Sequence, residues 1–354
     1  MQIYKKIEVP TSTRTYDVIV GRDLIANLSS LVDLELYDQF FFVSDDNVWP
    51  IYGNVAKTSF ENRQVSEFVF KAGEASKNPF TLVECLESMA KSGCSRDTLV
   101  ITLGGGVACD LGGFAAATFM RGISVLQVPT SLLACVDASV GGKTAVDLRA
   151  GKNLFGAFHQ PIAVVCDLDA LKTLSEEQFR DSVGEVVKHS ILADREMFEW
   201  LKNNKLDKTF VERVEMLELV ARNVEIKRDV VTSDEFESGR RQTLNLGHTL
   251  GHAIETAKNF QVGHGTCVAC GIALLVNACA RAGITDKEVA DNIIAALKCQ
   301  GLPTETDVSK SKIIELIKCD KKRHGNSLNV VIVDDIESVR PVKMTFDEIE
   351  ELLN

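Results

Sequence analysis

Leu99-Val-Ile-Thr-Leu-Gly-Gly-Gly-Val-Ala-Cys-Asp110 decides the fold class. Five residues fit for a buried strand run into three glycines, and a small-residue helical pattern follows. A strand that ends on glycine and opens a helix is the unit of a parallel α/β sheet. Glycines at that junction let backbone N–H groups come close to a pyrophosphate, at a helix N-terminus that carries partial positive charge. The stretch departs from the G-x-G-x-x-G frame, because Cys109 takes the last position. Alone it reads equally as a phosphate cradle or as a tight strand-to-helix turn.

The same alternation extends both ways. Val18–Val20, Phe40–Val43, Phe68–Phe70, Val125–Val128 and Ala163–Cys166 are short apolar runs that end in Gly, Asp, Thr or Ser before helical patterns. Ligands of such sheets sit at the carboxyl ends of the strands. Asp45 closes one run and reads either as a holder of an adenosine ribose hydroxyl or as a helix N-cap. Asp137-Ala-Ser-Val-Gly-Gly-Lys143-Thr144 has the wrong glycine spacing for a P-loop. With Gly151-Lys152-Asn153 it still places two lysines and an amide in glycine-rich loops suited to phosphate oxygens, or to plain solvation.

After Leu174 the pattern changes. Ser175-Glu176-Glu177 reads as a helix start, and helical periodicity persists to about Ile317, before a last strand at Leu328–Val333. The boundary is placed at 174: residues 1–174 form an α/β domain with a Rossmann-like parallel sheet, and 175–354 a mostly helical one. Within the second half, Arg241-Gln-Thr-Leu-Asn-Leu-Gly-His248-Thr-Leu-Gly-His252 sets two histidines four apart, and His264 follows. On a helix His248 and His252 share a face. Arg241 and Asn245 extend that face if the helix begins early enough. Three of the chain's six histidines thus gather as a metal or catalytic site. No Glu follows the first His, which excludes the zinc-protease helix. Glu185 and Lys188 share a face of a largely apolar helix. Lys227 lies on another helix and is unremarkable alone, as is the basic run Lys321-Lys322-Arg323.

The net charge of −11 argues against nucleic acid and anionic membrane surfaces as partners, though not against a small anionic substrate. Met1–Lys6 has no apolar run behind it, which reads as no export signal, and ten cysteines then imply reduced thiols in a cytoplasm. Thr266–Ala280 is apolar but short for a membrane span and reads as a buried helix that includes the Cys267/Cys270 pair.

Taken together, Gly104–Asp110, Pro129–Val146, Gly151–Gly156, Phe158–Pro161, Gly184–Lys188, Asn245–His252 and His264-Gly265 resemble the 3-dehydroquinate synthase family, in order and over most of the chain. The resemblance implies an NAD-binding first domain, a second domain that carries zinc or cobalt, an active site in the cleft between them and a cytoplasmic homodimer. It assigns Glu185, His248 and His264 to the metal and, unlike spacing alone, His252 to the substrate. It assigns Asp45, Gly73, Glu74, Lys77, Gly106, Val107, Asp110, Thr130, Ser131, Leu171, Lys172 and Thr173 to NAD, and Lys143 and Lys152 to the nucleotide or the substrate phosphate. Asp137, Asn153, Lys188, Lys227, Arg241, Asn245, His252 and one of Lys321 and Lys322 would contact substrate. Arg121 would reach the phosphate site of a second copy.

The implied reaction turns 3-deoxy-D-arabino-heptulosonate 7-phosphate into 3-dehydroquinate and phosphate. It runs through transient oxidation by NAD, phosphate elimination, re-reduction, ring opening and aldol closure. The departures are Thr266, where the family commonly has Glu, which implies altered support around the metal, and Ser131 in place of Thr. The alternatives are a cyclase that makes an inosose or a valiolone, a metal-dependent polyol dehydrogenase, and a non-catalytic NAD-binding module.

Overall fold

The computed structural model describes residues 4–321 and 326–354, without the side chains of residues 319–321. The chain forms two compact units, residues 1–173 with 211–228, and residues 174–210 with 229–354. The first crossing falls where hydropathy changes. The return of Val211–Arg228 to the first unit has no such signal, because the helix Glu215–Ser233 passes from one unit to the other without a break in its periodicity.

The first unit is built on nine strands: β1 Lys5–Pro10, β2 Thr15–Gly21, β3 Gln39–Asp45, β4 Gln64–Phe70, β5 Thr98–Gly104, β6 Val125–Pro129, β7 Lys143–Leu148, β8 Gly151–Phe158 and β9 Ala163–Asp167. Seven of them form one sheet in the order β1-β2-β9-β6-β5-β3-β4. All neighbours in it are parallel except the β1–β2 edge hairpin. Every residue of β3, β5, β6 and β9 is buried, which is why these segments read as unbroken apolar runs and not as alternating ones.

After β3 the chain moves outward to β4. It then returns to the other side of β3 for β5 and continues to β6. The carboxyl ends of β3 and β5 therefore flank a topological switch point, where open α/β sheets take their ligands. Asp45 and Gly104 are the last residues of those strands.

The structure corrects one expectation here. Lys143, Lys152 and Asn153 do not sit in loops. Lys143 opens β7 and the other two lie at the start of β8, in a separate antiparallel hairpin. Gly141 and Gly142 (φ +96° and +70°) turn the chain before β7, and Thr144 and Val146 bury one side of it, so the glycines mark the turn and not the lysines' own conformation.

In the second unit, the helix Glu176–Ala193 starts on a capping box in which Ser175 and Gln178 serve each other's backbone N–H. The helix His264–Arg281 packs close to it and to the helix His248–Ala257. The approach depends on glycine: a Cβ on Gly184 would lie 2.2 Å from the Gly265 carbonyl oxygen, and one on Gly271 would lie 2.2 Å from that of Gly247. Twelve residues of His264–Arg281 are buried, Cys267 and Cys270 among them, so the segment's apolar character serves a protein core. A two-stranded hairpin, β10 Ser327–Asp335 and β11 Ser338–Thr345, and the helix Phe346–Leu353 close the second core around Leu250, Ile254, Leu275 and Ile317.

Candidate active site

In the first unit, the residues assigned to a nucleotide gather at the carboxyl ends of the strands. The helix Gly106–Thr118 starts from Gly105 with no side chain capping it, which leaves its first N–H groups for an anion. Thr130 N–H donates to the Gly104 carbonyl (2.8 Å) and a Cβ on Gly105 would face the Ser131 hydroxyl at 3.6 Å, so the turn after β6 lies against the turn after β5. Asp45 takes the capping role: its Oδ1 accepts from Asn47 and Val48 N–H, both at 3.0 Å. A Cβ on Gly104 would lie 3.3 Å from its other oxygen, Oδ2, so that oxygen faces the glycine turn. Burial raises the Asp45 pKa. Leu171 is buried, Lys172 pairs with Asp169 and Glu212 (2.9 and 3.3 Å), and the Thr173 hydroxyl lies 3.0 Å from Tyr52 Oη. The residues present fit a dinucleotide: a bare helix N-terminus, a glycine turn and an acidic residue on the neighbouring strand.

Beside this turn lies a charged network that sequence spacing does not reveal. Lys77 is 4% exposed. Its Nζ reaches Asp110 at 2.6 Å, Asn153 Oδ1 at 2.5 Å and Glu74 at 3.7 Å. Burial works against its charge, but Asp110 and Glu74 outweigh burial and raise its pKa. Lys152 pairs with Glu74 at 2.8 Å. Asn153, at φ +56°, is pinned by its own N–H to Asp147 Oδ1 at 2.8 Å. Lys143 is exposed. The Lys227 ammonium bonds both the side chain and the carbonyl of Asp137. Val107 packs in part against the core beneath.

In the second unit, three helices bring four donors together. Glu185 is fully buried, and its Oε1 lies 3.7 Å from His248 Nε2 and 3.5 Å from His264 Nε2. These separations are long for hydrogen bonds. They match the roughly 3.4 Å edge between ligand atoms that each stand ~2.1 Å from one tetrahedral ion. The other ring nitrogens are engaged elsewhere: His248 Nδ1 faces the Leu246 carbonyl at 3.1 Å and His264 Nδ1 faces Glu255 Oε2 at 3.4 Å. Such outer partners fix the tautomer and turn Nε2 toward an ion. The residues therefore fit a divalent cation.

His252 completes a near-equilateral triangle of imidazoles with centroids 5.2–5.5 Å apart, and the ligand atoms of the three lie within 4.8 Å of one another. Burial and the Lys188 charge lower the His248 pKa. For His264, burial lowers it too, but Glu185 and Glu255 prevail and raise it to about 10. Lys188 Nζ lies 2.5 Å from Glu185 Oε2, and both are buried.

Arg241 does not extend the histidine stripe. Arg240–Asn245 is a separate 3-10 turn, and the helix starts only at His248 because Gly247 breaks the chain at φ +77°. A side chain at Gly247 would also strike Ile272 Cγ1 at 2.5 Å, so close packing requires glycine there. Arg241 is nonetheless wholly buried, its guanidinium donating to the Glu235 carbonyl, and Asn245 donates to Glu237 at 2.9 Å. The Lys321 side chain and all of Lys322 lie outside the described residues.

Sequence reasoning missed Asp234, which holds the Arg241 loop. Its carboxylate accepts from the N–H groups of Ser238 (2.9 Å), Gly239 (2.7 Å) and Arg241 (2.9 Å). Burial opposes the charge, but these donors together outweigh it and pull the pKa down to about 2. A lowered acid pKa stabilises the fold above the unfolded value of ~3.9 and loses its contribution as pH falls through about 2. Wild-type protein should therefore be more stable than Asp234→Ala by a constant margin from pH 5 to 8 (roughly the plateau above both values), closing between about pH 4 and 2. Urea titrations across that range check this, and a margin that persists at pH 2 refutes it.

Residues 67–181 match the model of the 3-dehydroquinate synthase N-terminal region and residues 182–323 that of its C-terminal region. The 3-dehydroquinate synthase of Clostridium acetobutylicum is 38% identical over 338 residues, 94% of each chain. That of Lactococcus lactis subsp. cremoris is 35% identical over 353 residues, 98% of this chain and 99% of its own. The fold is shared by a 2-deoxy-scyllo-inosose synthase solved with carbaglucose-6-phosphate, NAD+ and Co2+ (TM-score 0.89, 22% identity, 99% of both chains). It is also shared by the 2-epi-5-epi-valiolone synthase of Streptomyces hygroscopicus solved with NAD+ and Zn2+ (TM-score 0.85, 23% identity, 97% of both chains). With near-complete coverage at 35–38% identity and matches to both halves, this chain belongs to the 3-dehydroquinate synthase family.

Proposed function

We propose that the protein converts 3-deoxy-D-arabino-heptulosonate 7-phosphate to 3-dehydroquinate and phosphate, as a cytoplasmic enzyme of aromatic biosynthesis with NAD and zinc or cobalt as cofactors. The observation that carries this reading within the family's fold is Arg241. It is a fully buried guanidinium in the unit that holds the Glu185–histidine cluster. A buried planar cation suits a substrate carboxylate, which the inosose and valiolone precursors lack.

Glu185, His248 and His264 would hold the metal, and the switch-point residues Asp45, Gly106, Thr130 and Ser131 the nucleotide, with Lys77, Glu74 and Asp110 framing it. When bound, NAD supplies reversible hydride transfer and the metal acidifies the substrate hydroxyl. The chain's own residues do the rest. Arg241 fixes the carboxylate end, and Lys227 is a further cation for the substrate. Lys143, Lys152 and Asn153 receive the phosphate end. Asn245 and Lys188 contact the substrate, and His252 moves a proton at a hydroxyl oxygen through a ring nitrogen. Clamping both ends of a flexible seven-carbon chain removes much of the entropy that opposes ring closure. Asp137 holds the Lys227 ammonium in place for this task.

The protein acts as a homodimer in this reading. Met120 and Arg121 take φ +46° and +70° and both are exposed, and the hairpin strand β8 exposes Leu154, Phe155 and Phe158. Exposed apolar side chains of this kind suit a second copy.

The test is phosphate release from the heptulosonate phosphate with catalytic NAD, with NADH absorbance followed in parallel. Stoichiometric phosphate without accumulating NADH, lost on chelation and restored by zinc or cobalt, is expected. NADH accumulating without phosphate would identify a polyol dehydrogenase instead. No turnover by folded, metal-loaded protein would remove the carboxylate role of Arg241.

A further inference from the structure

The helix His264–Arg281 begins on a residue of the histidine cluster, and its own N-cap, Gly263, has no side chain to serve the first N–H groups. Another helix serves them. Asp181, on Glu176–Ala193, accepts from Thr266 N–H at 2.7 Å, and the Gly265 N–H and the Thr266 hydroxyl both favour the charge of the same carboxylate. Asp181 stands one turn before Glu185, on the same face of its helix. Thr266 stands two residues after His264.

The backbone between these points has no slack. A Cβ on Gly265 would lie 2.0 Å from the Asp181 carbonyl oxygen, and one on Gly263 would lie 2.2 Å from Asp181 Oδ1. One carboxylate thus ties the first turn of one helix to the helix that carries Glu185. Glu255 orients the His264 ring, but the place of the His264 backbone depends on this tie.

We infer that Asp181 is a positioning residue of the metal centre, holding His264 Nε2 at its 3.5 Å distance from Glu185 Oε1 through the start of the helix. The inference rests on the metal reading of that cluster. It also gives Thr266 a reason. A glutamate there would set a second carboxylate against Asp181, whereas threonine adds no charge and leaves its backbone N–H bonded to Asp181.

The test titrates Co2+ into the wild-type protein and into Asp181→Ala, Asp181→Asn, Thr266→Glu and Asp181→Asn/Thr266→Glu. Affinity is read by competition with a chelating dye, and ligand geometry by the visible absorption band of the bound cobalt. Asp181→Ala should weaken the metal about 10–100-fold, the range for lost outer-shell support, and change the cobalt band. Asp181→Asn should recover most of the affinity, because its side-chain oxygen still accepts. Thr266→Glu should weaken binding by a similar factor, and the double variant should restore it. Wild-type affinity and an unchanged band in Asp181→Ala, even with a lowered melting temperature, would reduce Asp181 to an ordinary helix cap and overturn the inference. If Asp181→Ala fails to fold, native affinity in Thr266→Glu overturns it equally. Failure of the wild-type protein to bind cobalt would overturn the metal reading and this inference with it, whereas binding that no variant alters sinks the inference alone.

Discussion

Glu185→Leu should leave the protein without bound metal after dialysis and without phosphate release, and should lower its stability by about 3–5 kcal/mol. Both effects come from one carboxylate. Its Oε1 is the atom that faces both His248 and His264, so its loss breaks the donor set at the centre and not at its edge. Metal affinity should fall by more than the roughly 10–100-fold that follows loss of an outer-shell partner. Its Oε2 meets the Lys188 ammonium, and both side chains are at most 1% exposed. Removing one member of a buried pair strands the other charge in a medium that solvates it poorly. The two consequences separate in a second variant. Glu185→Leu/Lys188→Met should regain most of the lost stability and still bind no metal. Zinc analysis and urea denaturation of the two variants decide the matter. One zinc per chain retained by Glu185→Leu would show that the three imidazoles hold the ion without the carboxylate and that His252 is a ligand.

Lys77→Met should lower stability by a similar roughly 3–5 kcal/mol and weaken NAD at least about tenfold. The substitution keeps the length of the side chain and removes only the charge that Asp110, Glu74 and Asn153 surround. Two carboxylates would then face each other across an apolar sulfur, and Asn153 would lose the donor to its side chain. Lys77→Met/Asp110→Leu should recover stability without recovering NAD affinity. The pH dependence has a definite sign. A lysine whose folded pKa is raised contributes fully below its unfolded value of ~10.4 and loses that contribution only as pH rises through the higher folded one. The stability difference between wild type and Lys77→Met should therefore be flat from about pH 6 to 9. Stability and NAD affinity both within twofold of wild type would show that the network neither supports the turn nor shapes the nucleotide site.

The chain's local patterns carried six of the seven strands of the first sheet, most clearly β3, β5, β6 and β9, because a strand buried on both faces reads as an apolar run. They also carried the helix start at Ser175, whose capping partners lie three residues apart. The motifs carried the donor types at 185, 248 and 264. Other features were not legible. The edge strand β1 and the β7–β8 hairpin alternate burial or expose much of their length, so their periodicity is faint. The break at Gly247 looked like helix because glycine is compatible with either state until Ile272 and Val268 crowd it.

Residue order by itself determined the chemistry available to this protein: three histidines, a glutamate and an arginine, and glycines where backbone must approach backbone. Only the tertiary structure decided which carboxylate meets which imidazole, that Lys77 is buried and Lys143 is not, and that Asp181 caps a helix it is not part of. Those pairings join residues 33 to 85 positions apart, and spacing along the chain has no way to encode a distance that packing sets.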